Sequence, residues 1–211
     1  TAVTAGQVFT PAQAAGLRFD PAATFNGNAT FTFTATDNTG LLDLTPAMYT
    51  VVVTNTPPVA TDVTNASIPS TAGATTISSL AATDADGTIA SYTVSTVPPV
   101  AQGILYLADG TTAVTAGQVL TPVQASSLRF DPSGVFTGNS TFTFTATDNT
   151  GAVDATPATY TIPVSNTPPV ATDVTAAAIN DNAGPTTISS LAATDVDGTI
   201  VSYTVSTVPP V

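Results

Sequence analysis

The clearest hydrophobic pattern in the chain is TFTFTATD at Thr141–Asp148. Phe142, Phe144 and Ala146 fall on one side of a period of two, and Thr141, Thr143, Thr145 and Thr147 on the other. Successive side chains of a strand point to opposite faces, so this pattern predicts a half-buried antiparallel strand. Tyr160, Ile162 and Val164 alternate likewise further on, and Pro163 among them, lacking an N–H, predicts an edge position. Upstream, strands are predicted over Val59–Ile68, Thr75–Ala82, Thr88–Thr96, Gly103–Leu107 and Leu128–Phe130. Turn-forming residues separate them: DADG at 84–87, ADG at 108–110, DPSG at 131–134 and DNTG at 148–151. Seven short strands of this kind predict a sandwich of two antiparallel sheets.

The pattern occurs twice. Residues 1–100 return at 112–211 without a gap, an offset of 111 residues, with 76 of 100 positions identical. Only Ala101–Thr111 occurs once. Such similarity indicates tandem duplication, and a chain that starts at Thr1 is expected to be a piece of something longer. Two Pro-Pro sites could mark the repeat boundary: NTPPV at 55–59 and 166–170, or VPPV at 97–100 and 208–211. The first is preferred, because the unit from Pro57 to Asn166 then holds all seven strands. Residues 1–56 become the C-terminal part of one repeat, 57–166 a complete repeat, and 167–211 the N-terminal part of the next. The partial repeats would then either leave their faces bare or join head to tail, with Phe31 and Phe33 against Ile188, Leu191 or Tyr203 of a neighbouring chain. On the VPPV boundary, 1–100 and 112–211 would instead be two self-contained sandwiches.

Composition narrows the chemistry. All 14 acidic residues are Asp, both basic residues are Arg (Arg18 and Arg129), and there is no Glu, Lys, His or Cys. The usual general bases and nucleophiles are therefore missing, as are the ligands of a zinc site and the lysine of a P-loop. The chain is not expected to be an enzyme. A net charge of -12 repels nucleic acid and anionic membrane surfaces. No apolar run approaches the ~20 residues of a membrane-spanning helix, and no signal peptide is evident. Thr supplies 44 of the 211 residues and favours strands, while 17 Pro and 14 Gly supply turns, so the fold class is all-β. Without Cys or Lys, neither disulfides nor Lys–Asn isopeptide bonds can cross-link it.

Counting antiparallel strands brings three turns to the pole where the chain enters at Asn55. Asp84, Asp86, Asp109, Asp148 and Asp154 are expected there together. Asp-Gly and Asn-x-Gly sequences are also ordinary turn formers, which leaves two readings open: turns alone, or an oxygen-rich cation site. Arg129 is expected to pair with Asp131 or another acid. Phe130, Phe136, Phe142 and Phe144 are assigned to the core. Three Asn-x-Ser/Thr sequences, at Asn28, Asn65 and Asn139, match the glycosylation pattern and are expected by chance in such a chain.

Three stretches carry a resemblance. LAATDADGTIASYTVS (80–95) resembles the cadherin stretch around Asp-x-Asp, FTFTATDNTG (142–151) resembles the cadherin Ala-x-Asp strand end, and VSNTPPV (164–170) stands where cadherins carry their linker. The chain thus resembles the cadherin-like or bacterial immunoglobulin-like repeats of giant surface adhesins, of the gliding or biofilm type. DADGTIxSY is also similar to polycystic-kidney-disease-type domains. The resemblance implies tandem seven-stranded immunoglobulin/cadherin-like sandwiches with a 111-residue period. It also implies an extracellular, cell-surface location and a spacer role that projects adhesive regions for attachment or motility. A multivalent glycan- or protein-binding module is the alternative. The implied partners are neighbouring repeats, with no nucleic acid and no membrane insertion, and the adhesin's target is unspecified. The implied calcium ligands are Asp84, Asp86 and Asp148 with Asn55 nearby, and Asp195 and Asp197 with Asn166. The linker lacks the cadherin acidic pattern and the chain lacks Glu, so one ion per junction is expected rather than a multi-ion cage.

Overall fold

The computed structural model describes residues 1–209; Pro210 and Val211, which end the second VPPV, lie outside them. The chain divides into two compact units, Thr1–Thr56 and Pro57–Val211. The first holds α1 (Pro11–Ala14) and the antiparallel pair β1 (Gly27–Phe33) and β2 (Ala47–Val53). The second begins with β3 (Val59–Thr61), β4 (Val63–Thr64), β5 (Ile68–Pro69), β6 (Thr75–Thr76) and β7 (Ala81–Thr83). It continues with β8 (Ile89–Thr96), β9 (Gly103–Tyr106), β10 (Val119–Leu120), α2 (Pro122–Ala125) and β11 (Arg129–Pro132). It ends with β12 (Gly138–Asp148), β13 (Ala158–Ser165), β14 (Val170–Thr172) and β15 (Ala192–Thr194).

The larger sheet has the order β10-β8-β12-β13-β4, with β5 also beside β13. The others in this region are β6-β11-β9 and the pair β3-β7. Their buried side chains share one core: Phe142, Phe144 and Ala146 of β12, Tyr160, Ile162 and Val164 of β13, Tyr92 and Val94 of β8, Leu105 of β9 and Phe130 of β11. Phe142 stacks on Tyr160 with centroids 4.8 Å apart, and Tyr92 meets Phe144 edge-on at 6.0 Å. Each such aromatic pair adds about 0.5–1.5 kcal/mol beyond area burial. The alternation read from Thr141–Asp148 is realised: the apolar positions turn into the core and the threonines outward.

Two predicted strands break. Val59–Ile68 divides because it changes partner: β3 pairs with β7, whereas β4 and β5 run parallel to β13. At the change, the Asp62 carboxylate accepts the Thr159 N–H at 2.7 Å, in place of a strand carbonyl. Thr75–Ala82 likewise survives only as β6 and β7. Pro163 is not on an edge. It lies in the interval between the β4 and β5 pairings, where no strand asks for its N–H.

Residues on either side of 57–166 contrast with this core. Phe31 and Phe33 are 46% and 49% exposed, while their copies Phe142 and Phe144 are 1% and 0% exposed. Ile188, Leu191 and Tyr203 are exposed as well.

Candidate functional site

The turn after β7 carries Asp84 and Asp86. The Asp86 N–H donates to Asp84 Oδ1 at 3.3 Å, and Asp84 Oδ2 is buried with no hydrogen-bond partner among the described residues. Gly87 lies so close that a Cβ there would stand 2.6 Å from Asp84 Oδ2 and would also strike the Asn149 side chain. Asn149 joins this turn to the next: its Oδ1 accepts the Thr88 N–H at 2.9 Å, and its own N–H donates to the Thr88 carbonyl at 3.0 Å.

Asp148 and Asp154 sit in the same place but organise backbone. Asp148 is 2% exposed, and its Oδ1 accepts the Thr150 N–H, the Thr150 hydroxyl and the Ala152 N–H, each at 2.8 Å. Asp154 accepts the Thr156 N–H at 3.0 Å and, through Oδ2, the Ala60 N–H at 2.7 Å, which fastens the start of β3 to this loop. The structure thus brings Asp84, Asp86, Asp148 and Asp154 to the pole where β3 begins. Asp109 is elsewhere. Its turn folds back so that Gly110 lies against Ala74 and Arg129, at the opposite end of the β6–β7 segment from Asp84. The Arg129 guanidinium donates to the Ala74 carbonyl at 3.3 Å rather than forming the expected salt bridge among the described residues.

The second acidic turn stands at a junction. Asp197 is 5% exposed although it lies well past β13. Its Oδ2 accepts the Thr167 N–H at 2.7 Å and the Ser70 hydroxyl. The Ser70 hydroxyl first, then the Thr167 N–H, hold its carboxyl below the ordinary range. Asp197 Oδ1 is buried without a hydrogen-bond partner among the described residues. Asp195 Oδ1 lies 3.4 Å from the Asp197 N–H. Asn166 is exposed and donates to the Thr167 carbonyl at 3.2 Å, and Asn55 is half-buried just before Pro57. Ser70 and Thr167 were not foreseen. The copy of Ser70 is Asp181, so the repeat itself offers no signal for the contact.

Among the described residues no group of three or more carboxylates could hold a metal ion. At the acidic turns, Oδ2 of Asp84 and Oδ1 of Asp197 are buried with no hydrogen-bond partner among the described residues. Asn65, in the first strand region of the complete repeat, is buried, and its amide donates to the Ala66 carbonyl at 2.8 Å, which turns this sequon inward. No helix is long and apolar enough to cross a membrane among the described residues.

The family described as Bacterial Ig domain matches residues 55–162, just over half of the chain. Among curated proteins nothing matches. A solved structure, the crystal structure of the protocadherin gammaB4 extracellular domain, is similar at 20% identity with a TM-score of 0.44. The similarity covers 81% of this chain and 26% of that one.

Proposed function

The chain belongs to the bacterial Ig domain family, a non-catalytic Ig-like family, and from that premise we propose that it is a spacer. It would be a stretch of tandem sandwiches, 111 residues apart, in the stalk of an extracellular surface adhesin or filament. Residues 1–56, 57–166 and 167–211 are the end of one repeat, a complete repeat and the start of the next. The observation that carries this reading is the near-identity of the two copies, 76 of 100 positions. A spacer needs repetition, and an acidic surface with few other charges discourages association between neighbours. The contact of Asp197 with Ser70 and Thr167 supports it, since it ties one repeat to the next.

The alternative is a multivalent glycan- or protein-binding module, and for glycans it needs an aromatic platform. In the complete repeat Phe130, Phe142, Phe144 and Tyr160 are all buried in the core. A glycan array probed with the 211-residue chain separates the two. A spacer gives no saturable binding, and saturable binding to any glycan class would replace it with the alternative. One calcium ion at each acidic turn belongs to the same proposal. The buried, donorless oxygens of Asp84 and Asp197 support it.

A further inference from the structure

We propose that position 70 decides whether the joint after residues 57–166 is locked, with Ser70 as the locking residue and its copy Asp181 as the releasing one. The inference rests on the tandem-repeat reading above and adds to it how the stalk is jointed. Ser70, Thr167 and Asp197 all lie in the compact unit Pro57–Val211. Ser70 is 1% exposed, and its N–H donates to the Ser165 carbonyl at 2.9 Å, just past the pairing of β5 with β13. It is thus fixed to the end of the sandwich. Asp197 is carried by the following segment: it comes after β15, which pairs with β14 through Val170 opposite Thr194. The covalent path between them is residues 166–169, where Pro168 and Pro169 fix two φ angles while Asn166 and Thr167 keep theirs. Asp197 Oδ2 closes a second path, accepting the Ser70 hydroxyl from the sandwich and the Thr167 N–H at 2.7 Å from the linker. A segment held at one point swings about it, and one held again 30 residues further on does not.

The copies show what the position selects. The acceptor and the linker donor are the same in both repeats: Asp86 and Asp197, Thr56 and Thr167. The hydroxyl donor is not, since Ser70 returns as Asp181. Six of the ten positions 65–74 differ from their copies at 176–185, against 24 of 100 over the whole repeat, so the differences gather at this loop. An ionised carboxylate has no hydrogen to donate, and two carboxylates at hydrogen-bond distance repel strongly where water is excluded. Asp197 sits in such a place, 5% exposed, and its Oδ1 has no hydrogen-bond partner among the described residues. A serine at this position therefore closes the joint and an aspartate opens it. Repeats that are otherwise near-identical then build a stalk that is stiff at one joint and loose at another, so that a long spacer bends at set places.

The test is a distance measurement in the 211-residue chain, which has no cysteine of its own. Nitroxide labels go on cysteines introduced at Val123 and Ala192, both exposed. Pulsed electron spin resonance reads the distance distribution in chelator, so that no bound ion contributes. The wild type should give one narrow distribution. Ser70→Asp should broaden it, and the Thr167 N–H should exchange with solvent roughly tenfold faster, the effect of losing a charge-assisted hydrogen bond. Ser70→Ala removes the donor without adding charge and should broaden it too, which keeps the test if Ser70→Asp unfolds the sandwich; the melting transition shows whether it does. Adding Asp197→Asn to Ser70→Asp supplies an amide that can donate to the introduced carboxylate, and should narrow the distribution again. A wild-type distribution as broad as that of Ser70→Ala overturns the proposal, and so does a double variant no narrower than Ser70→Asp. These outcomes are independent of the glycan array, so the joint can fail while the spacer reading stands.

Discussion

Asp109 accepts hydrogen bonds from the Thr112 hydroxyl at 2.5 Å and from the Thr111 and Thr112 N–H groups at 3.0 and 2.9 Å. The Thr112 hydroxyl first, then the two N–H groups, lower its carboxyl from 3.8 to about 2. A depressed carboxylate stabilises the fold above its unfolded pKa, and that contribution is lost as pH falls from about 4 toward 2. We predict that carboxyl NMR titration of Asp109 gives a midpoint near 2, and that Thr112→Val moves it up toward 3.8. A midpoint already at 3.8 in the wild type would contradict the geometry. Asp148 in DNTG, and Asp154 beyond it, also accept backbone N–H groups of their own turns. That much was legible, because Asp followed by Thr and Gly bonds its own backbone locally. The reach of Asp197 to Ser70, 127 positions earlier, was not, since no local rule links such positions.

Among the elements, β9 opens on a glycine whose place no other residue fits freely. Gly103 opens it at φ +147°, and a Cβ there would lie 2.5 Å from both the Asp131 carbonyl oxygen and the Phe130 ring. Gly103→Ala should cost about 1–3 kcal/mol through strain and overpacking. Urea unfolding should show it as a lower midpoint with an unchanged slope, and an unshifted midpoint would show that the close approach relaxes freely. The long alternating strands β8, β12 and β13 were legible because one face of each is buried and the period of two survives. Three elements were missed, α1 among them with the same Thr-Pro-x-Gln start as α2. β10 is only two residues long, and α2 has one turn. The signal for α2 was present: Thr121 and Gln124 form a capping box around Pro122. Asp109 was misplaced because strand counting treats Ala108–Gly117 as a single turn. Instead Val114 pairs back to Leu105 before β10 begins, and this extra reversal carries the Asp109 turn off the pole.

For the whole molecule, the open question is whether the acidic turns gain a cation. An ion that binds only the native state stabilises it by about 2.7 kcal/mol at a hundredfold excess over its Kd. Melting the 211-residue chain in millimolar calcium and again in chelator should therefore separate the transitions by on the order of 10 °C. Coincident curves would leave Asp84 and Asp197 as turn residues only.

The parallel run of β4 and β5 along β13 has a mechanical consequence. The chain enters this sandwich at the β3 end and leaves it after β13, and β4 and β5 run parallel to β13. A pull on the two ends drags β4 and β5 backward along β13, so their hydrogen bonds are strained together. These include Asn65 N–H to the Thr161 carbonyl and Ser70 N–H to the Ser165 carbonyl, both 2.9 Å. Bonds loaded in shear must fail as a group, whereas bonds peeled from one end fail singly. Because Ser70 also holds Asp197 of the following segment, a tug on that segment bears on the same patch.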